Sequence, residues 1–238
     1  MQNKFTIGDV KEFWDKAADS YIESHKKIKD IHFQRFSEAV KYMDPKPNLR
    51  ILNVWARIGE AIPKLRDNYK DAEIINLEAS SRFIEIASRI FPNETFRQTD
   101  LASFPCEDNY FDYIVSLETL EHAPDPLKFL RECYRVLKSD GTLILSCPPA
   151  SIEIPVRIYK LFFGGHGEGP HKFLSSGQVK RLLEITGFKL ISHKGTLLFP
   201  IGPTFLKIFG ERLLNRFQNT PLKEFGIRQF YVCKKKIK

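Results

Sequence analysis

The sequence predicts an α/β protein built on a parallel sheet covered on both faces. Three observations carry that expectation. Short apolar runs alternate with helical stretches of about ten residues through the middle of the chain. One run, Arg50-Ile51-Leu52-Asn53-Val54, leads directly through Trp55-Ala56-Arg57-Ile58 into Gly59-Glu60 and a helical pattern. A third, Thr142-Leu143-Ile144-Leu145-Ser146, is apolar on both sides of any pleat, as a strand buried on both faces must be.

In chain order, Val10, Phe13, Trp14, Ala17 and Tyr21 recur at three- and four-residue steps and predict a helix over Asp9–Lys29. A second helix over Phe33–Met43 carries Phe33, Phe36, Val40 and Met43 on one face, and Pro45 and Pro47 end it. The strand at 50–54 follows, then a helix over Gly59–Tyr69 and a strand at 73–77 that stops at Glu78. Phe83, Ile84, Ala87 and Ile90 mark a helix over 80–90, and Thr95–Gln98 and Phe111–Ser116 read as strands. Pro126–Leu137 is an amphipathic helix, Ser139-Asp140-Gly141 a turn, and 142–146 a strand. Beyond it lie an apolar helix over 152–163, a glycine-rich loop over 164–171, and a helix over 175–186 closed by Gly187. Strands at 188–192 and 229–233 enclose a helix over 205–217. Its stripe of Phe205, Leu206, Phe209, Leu213 and Phe217, with Arg212 and Arg216, suits either packing on the sheet or lying on an anionic membrane.

The 238 residues, 42% hydrophobic and 28% charged, are expected to form one domain in three segments. Residues 1–48 give helices over a pocket, 49–149 a binding core, and 150–238 substrate-side elements with the last two strands. No long apolar run or signal-peptide core is present, which predicts a cytoplasmic protein with at most peripheral membrane contact. Cys106, Cys133, Cys147 and Cys233 show no metal-ligand or disulfide spacing. The net charge of +8 is uneven: residues 1–150 hold 21 Lys and Arg against 24 Asp and Glu, while 151–238 hold 16 against 5. The C-terminal part therefore suits an anionic partner or a solvated basic surface. No nucleic-acid-binding module accompanies that charge.

A family resemblance rests on Thr99-Asp100-Leu101, Phe104-Pro105 and Phe111-Asp112-Tyr113-Ile114-Val115-Ser116. Leu120-Glu121-His122-Ala123-Pro124-Asp125-Pro126, Leu130–Lys138 and Gly141-Thr142-Leu143 extend it, as do Pro170–Ser175 and Leu183–Phe188. Together these resemble the class I S-adenosylmethionine-dependent methyltransferases, in the subgroup acting on small molecules, sugars and lipid precursors. The resemblance implies a Rossmann-like three-layer sandwich whose seven-stranded, mostly parallel sheet has an antiparallel last strand. It also implies S-adenosylmethionine as cofactor, S-adenosylhomocysteine as product, and methyl transfer to a small, anionic sugar- or lipid-type acceptor.

Carried over position by position, the resemblance makes Glu78, with Ala79 beside it, the acid that accepts from the ribose hydroxyls. Asp100, followed by Leu101, would accept from the adenine amine, and Ser116 and Leu117 would present backbone to the cofactor. His122 is the candidate general base, since an imidazole titrates near neutrality, although it and Glu121 also suit holding a loop. His171 is a candidate substrate contact. The spacing of His166, Glu168 and His171 lies in a loop, without a further ligand, so no metal site is expected. Trp14, Tyr21, Phe162 and Phe163 suit either a pocket lining or core.

The cofactor turn departs from the family. Where that turn has an acid, Val and three spaced glycines, this chain has Asn53, Val54, Trp55, Ala56, Arg57, Ile58 and Gly59. Glycine serves such a turn because it accepts positive φ and leaves room for the ligand. Two readings stay open: a methyltransferase with an altered turn, in which Arg57 grips the cofactor carboxylate, or an inactive binding or partner subunit whose pocket Trp55 and Arg57 obstruct.

Overall fold

The computed structural model describes residues 3–27, 29–154, 169–200 and 202–236. Helices α1 (Ile7–Lys27) and α2 (Lys29–Ala39) precede strand β1 (Arg50–Val54). Then come α3 (Ile62–Asn68), β2 (Glu73–Glu78), α4 (Ser81–Ile90), β3 (Thr95–Gln98), β4 (Phe111–Leu117), α5 (Pro126–Val136) and β5 (Leu137–Cys147). The chain continues with α6 (Ser176–Thr186), β6 (Phe188–Thr196), α7 (Thr204–Arg216) and β7 (Arg228–Lys235).

The strands form one seven-stranded sheet in the order β3-β2-β1-β4-β5-β7-β6. β1 to β5 pair in parallel, and β7 runs antiparallel to both β5 and β6. Successive residues of a strand face opposite ways, which is why the buried runs feed two cores. Leu52, Val54, Leu143 and Leu145 join α1, α4, α5 and α6 on one face through Trp14, Phe83, Phe129 and Val179. Ile51, Val115, Ile144 and Phe230 pack on the other against Phe36 of α2 and Leu65 of α3. The expected three-layer sandwich with an antiparallel last strand is the architecture found.

Local signals set most element ends. Ser80 caps α4 by accepting from Phe83 N–H, and Asp125 caps α5 through Leu127 and Lys128 N–H. Ser175 and Gln178 make a reciprocal capping box on α6, which ends at Gly187 with φ +98°.

Three expectations change. The helix over 59–69 starts only at Ile62, because Gly59 has φ +85° and belongs to the preceding turn. The turn at 139–141 lies inside β5: Phe111 pairs with Leu137 and Tyr113 with Thr142, so residues 138–141 bulge opposite Asp112. There the Asp112 carboxylate receives Lys46 and Lys138 and the N–H of Arg50. Finally, the 205–217 stripe does not pack on the sheet as a unit. Gly210 and Leu214 are buried, while Phe205, Phe209 and Phe217 face outward. The expected helix over 152–163 and loop over 164–171 fall largely on 155–168, outside the described residues, as do Phe162, Phe163, His166 and Glu168.

Candidate active site

The carboxyl ends of β1, β2, β3 and β4 meet beneath α1, where an open α/β sheet places its ligands. The turn after β1 supplies the centre. Trp55 has φ +66°, Arg57 φ +49° and Gly59 φ +85°. The turn thus keeps the left-handed backbone that the three glycines of the family would supply, with two of its positions held by large side chains. Leu101 after β3 and Glu118 after β4 are also left-handed, at φ +63° and +60°.

Glu78, at the end of β2, is fully buried. One carboxylate oxygen accepts from Arg57 N–H at 2.7 Å; the other accepts from Ala79 and Ser80 N–H at 2.8 and 3.0 Å. Burial pushes its pKa up to about 7 against these three donors. The acid therefore clasps the β1 turn to the start of α4. Asn53 is turned toward β2, donating to Asn76 Oδ1 at 2.8 Å. Asp100 is exposed and accepts from Ala102 and Ser103 N–H, closing its own turn. Leu101, Ser116 and Leu117 are buried at the same strand ends.

Aromatic side chains fill the centre. The Trp55 indole stacks on His122 with centroids 5.4 Å apart and planes 8° apart. Trp14 of α1 meets Trp55, His122, Phe83 and Tyr21 at centroid distances of 5.8 to 6.4 Å, edge-on or tilted. His122 points Nδ1 at Pro170 O, 2.9 Å away. Burial first, and then the Arg57 charge, lower its pKa to about 3, so it stays neutral and weakly basic in this arrangement. His171 is half-buried with Nδ1 2.8 Å from Gly169 O and its ring 6.3 Å from that of His122. The structure therefore gathers Trp55, Glu78, Ala79, His122 and His171 about one centre and leaves Asp100 at its exposed margin.

Arg57 shows what sequence reasoning missed. Its guanidinium lies against the rings of Trp14 and Tyr21 and donates to the Tyr21 hydroxyl at 2.8 Å. That hydroxyl donates to Glu60, which also receives Arg35. Arg35 reaches Glu118, and Glu118 receives Arg228 of β7. This charged chain ties α1, the β1 turn, α2 and β7 together. Its bonded members are 25 to 110 residues apart in sequence, beyond the reach of any local pattern.

The comparisons with known proteins agree with this architecture. Residues 56–145 match the methyltransferase domain family. The chain is 25% identical over 177 residues to a demethylmenaquinone methyltransferase of Thermotoga maritima, covering 66% of this chain and 76% of that one. It is 33% identical over 160 residues to a ubiquinone biosynthesis O-methyltransferase of Actinobacillus pleuropneumoniae, covering 63% and 65%. The phosphoethanolamine N-methyltransferase 2 of Haemonchus contortus, solved with phosphomonomethylethanolamine and S-adenosylhomocysteine, superimposes with a TM-score of 0.69 at 17% identity. That match covers 95% of this chain and 60% of that one. Residues 56–145 thus carry a methyltransferase domain of the class I S-adenosylmethionine-dependent kind.

The family's methyl donor does not fit this closed arrangement. Both oxygens of Glu78 are taken by the protein's own backbone. Trp55 and Arg57 are 5% and 7% exposed because α1 and His122 enclose them. A cavity lined by Asn53, Val54, Trp55, Ala56, Glu60 and Arg35 measures only about 10 Å³, the room of roughly one water, whereas ligand pockets span about 300–1,000 Å³. A larger groove of about 470 Å³ lies elsewhere, lined by Lys180, Ile191, His193 and Lys223.

Proposed function

We propose that this methyltransferase acts on a small, anionic sugar- or lipid-type acceptor, and that its donor pocket opens when α1 leaves the strand ends. The observation that carries the reading is the cluster of left-handed residues at the ends of β1, β3 and β4: Trp55, Arg57, Leu101 and Glu118. Outside glycine each such residue costs about 1–2 kcal/mol, and backbone strain of this kind gathers at ligand sites. The indole N–H groups of Trp14 and Trp55 are also buried without a hydrogen-bond partner among the described residues, at a cost of about 1–3 kcal/mol each. Moving α1 would open both indoles and the Arg57 guanidinium to solvent beside the β1 turn. The relatives' names support the acceptor class, since they point to quinone-type and phosphate-bearing molecules.

A specific observation favours a second reading. Arg57 and Trp55 are integrated into the core, not merely adjacent to it, as expected of an inactive member that serves as a binding or partner subunit. Melting with S-adenosylhomocysteine separates the two. A stabilised natural chain supports the opening pocket; a natural chain unmoved by millimolar ligand leaves the obstructed one.

A further inference from the structure

Helix α7 turns an apolar face to solvent. Phe205 is 72% exposed, Phe209 55% and Ile208 47%. Their spacing puts them on one side of the helix, and exposed Arg212 and Arg216 continue that side through the last turn. The opposite side fixes this orientation. Gly210 and Leu214 are buried, and a Cβ on Gly210 would lie 2.8 Å from the Phe199 ring. Glu211 accepts from Leu197 N–H at 2.6 Å. The helix is thus pinned with its rings outward. Scattered surface hydrophobics need no explanation, but two phenylalanines and an isoleucine side by side on one helix mark an interaction face.

Charge identifies the occupant. The segment that carries α7, residues 151–238, holds 16 Lys and Arg against 5 Asp and Glu, while residues 1–150 are slightly acidic. A second copy meeting this face through its own would bring two strongly basic segments together. An anionic phospholipid surface complements both features: rings enter at the depth of the headgroups, and guanidinium groups meet the phosphates. We infer that α7 docks the protein on an anionic membrane surface through Phe205, Ile208 and Phe209, with Arg212 and Arg216 against the lipid phosphates. This deepens the lipid-type acceptor reading, yet the face is independent of whether the donor pocket opens.

Co-sedimentation of the full chain with vesicles, without methyl donor, tests it. Phosphatidylcholine vesicles containing phosphatidylglycerol bind the protein, pure phosphatidylcholine binds it far less, and added salt weakens the contact. The double variant F205S/F209S loses about tenfold or more in vesicle affinity. Arg212→Gln and Arg216→Gln lose about fivefold each. All four side chains are exposed, so each variant keeps the melting temperature and the S-adenosylhomocysteine response of the natural chain. Undiminished binding of F205S/F209S, or equal binding to neutral and anionic vesicles, overturns the inference. So does a dimer, formed without any vesicle binding, that the same substitutions dissolve.

Discussion

Replacing Trp55 by glycine tests whether the centre of the site is a plug or a core. The indole is 5% exposed and stacked on His122, so its removal costs about 3–5 kcal/mol. Two terms oppose that loss. Glycine relieves the left-handed backbone at φ +66°, worth about 1–2 kcal/mol, and removes an unpaired buried N–H, worth about 1–3 kcal/mol. The net change therefore lies between roughly 2 kcal/mol of stabilisation and 3 kcal/mol of destabilisation, a loss of at most about 12 °C in melting temperature for a chain of this size. The space vacated lies between Trp14 and His122. S-adenosylhomocysteine at about 100 times its Kd adds about 2.7 kcal/mol, roughly 5–11 °C. Scanning calorimetry with ligand titration reads both effects. If the pocket opens in the natural chain, ligand stabilises both proteins and the variant more strongly, because less of its population is closed. A shift in the variant alone establishes the obstructed reading. A variant that loses more than about 5 kcal/mol while neither protein responds to ligand refutes the argument, since Trp55 is then simply core.

Arg57→Met keeps the length of the side chain but removes its bond to Tyr21. Amides of α1 then exchange at least about tenfold faster, as loss of a charge-assisted hydrogen bond worth about 1.5–3 kcal/mol requires; exchange equal to that of the natural chain shows that Arg57 does not hold α1 in place. Gly59→Ala places a Cβ 2.7 Å from the Phe91 ring at φ +85°, and denaturant unfolding is expected to show a loss of about 1–3 kcal/mol. His122 sets an acid limit. Burial and then Arg57 hold its folded pKa at about 3, below the ordinary 6.5, so the unfolded chain binds its proton more readily. Its contribution is complete above pH 6.5 and falls toward pH 3 by about 1.4 kcal/mol per unit. Glu78 has the opposite sign: its folded pKa, raised by burial to about 7 from 4.5, makes stability fall as pH rises through that interval. His122→Asn should flatten the acid side of a stability profile, and an unchanged slope between pH 6.5 and 4.5 contradicts the assignment.

Much of the fold was legible because its signals are local. The runs at 50–54, 73–77, 111–116 and 142–146 became β1, most of β2 and β4, and the second half of β5. The Ser175 capping box and Gly187 bounded α6 as their residue types require. Glu78 came to the end of its strand for the same reason, since a strand's length fixes where its last side chain stands. The site's interior was not legible. The pattern identified Trp55 and Arg57 as foreign to a glycine turn, but it did not show that the turn keeps its left-handed backbone around them. Nor did it show Arg57 reaching Tyr21, or Arg35 and Arg228 converging on Glu118.

The sequence by itself therefore determined the order of strands and helices and the absence of two glycines from the turn after β1. Periodicity and capping act over a few residues, so one chain segment contains the whole signal. Only the tertiary structure decided that α1 closes over that turn, that Glu78 is engaged by backbone, and that α7 keeps two phenylalanines in solvent. Those outcomes depend on which distant surfaces meet. A side chain's burial and partners are properties of the packed layers, not of its neighbours in the chain.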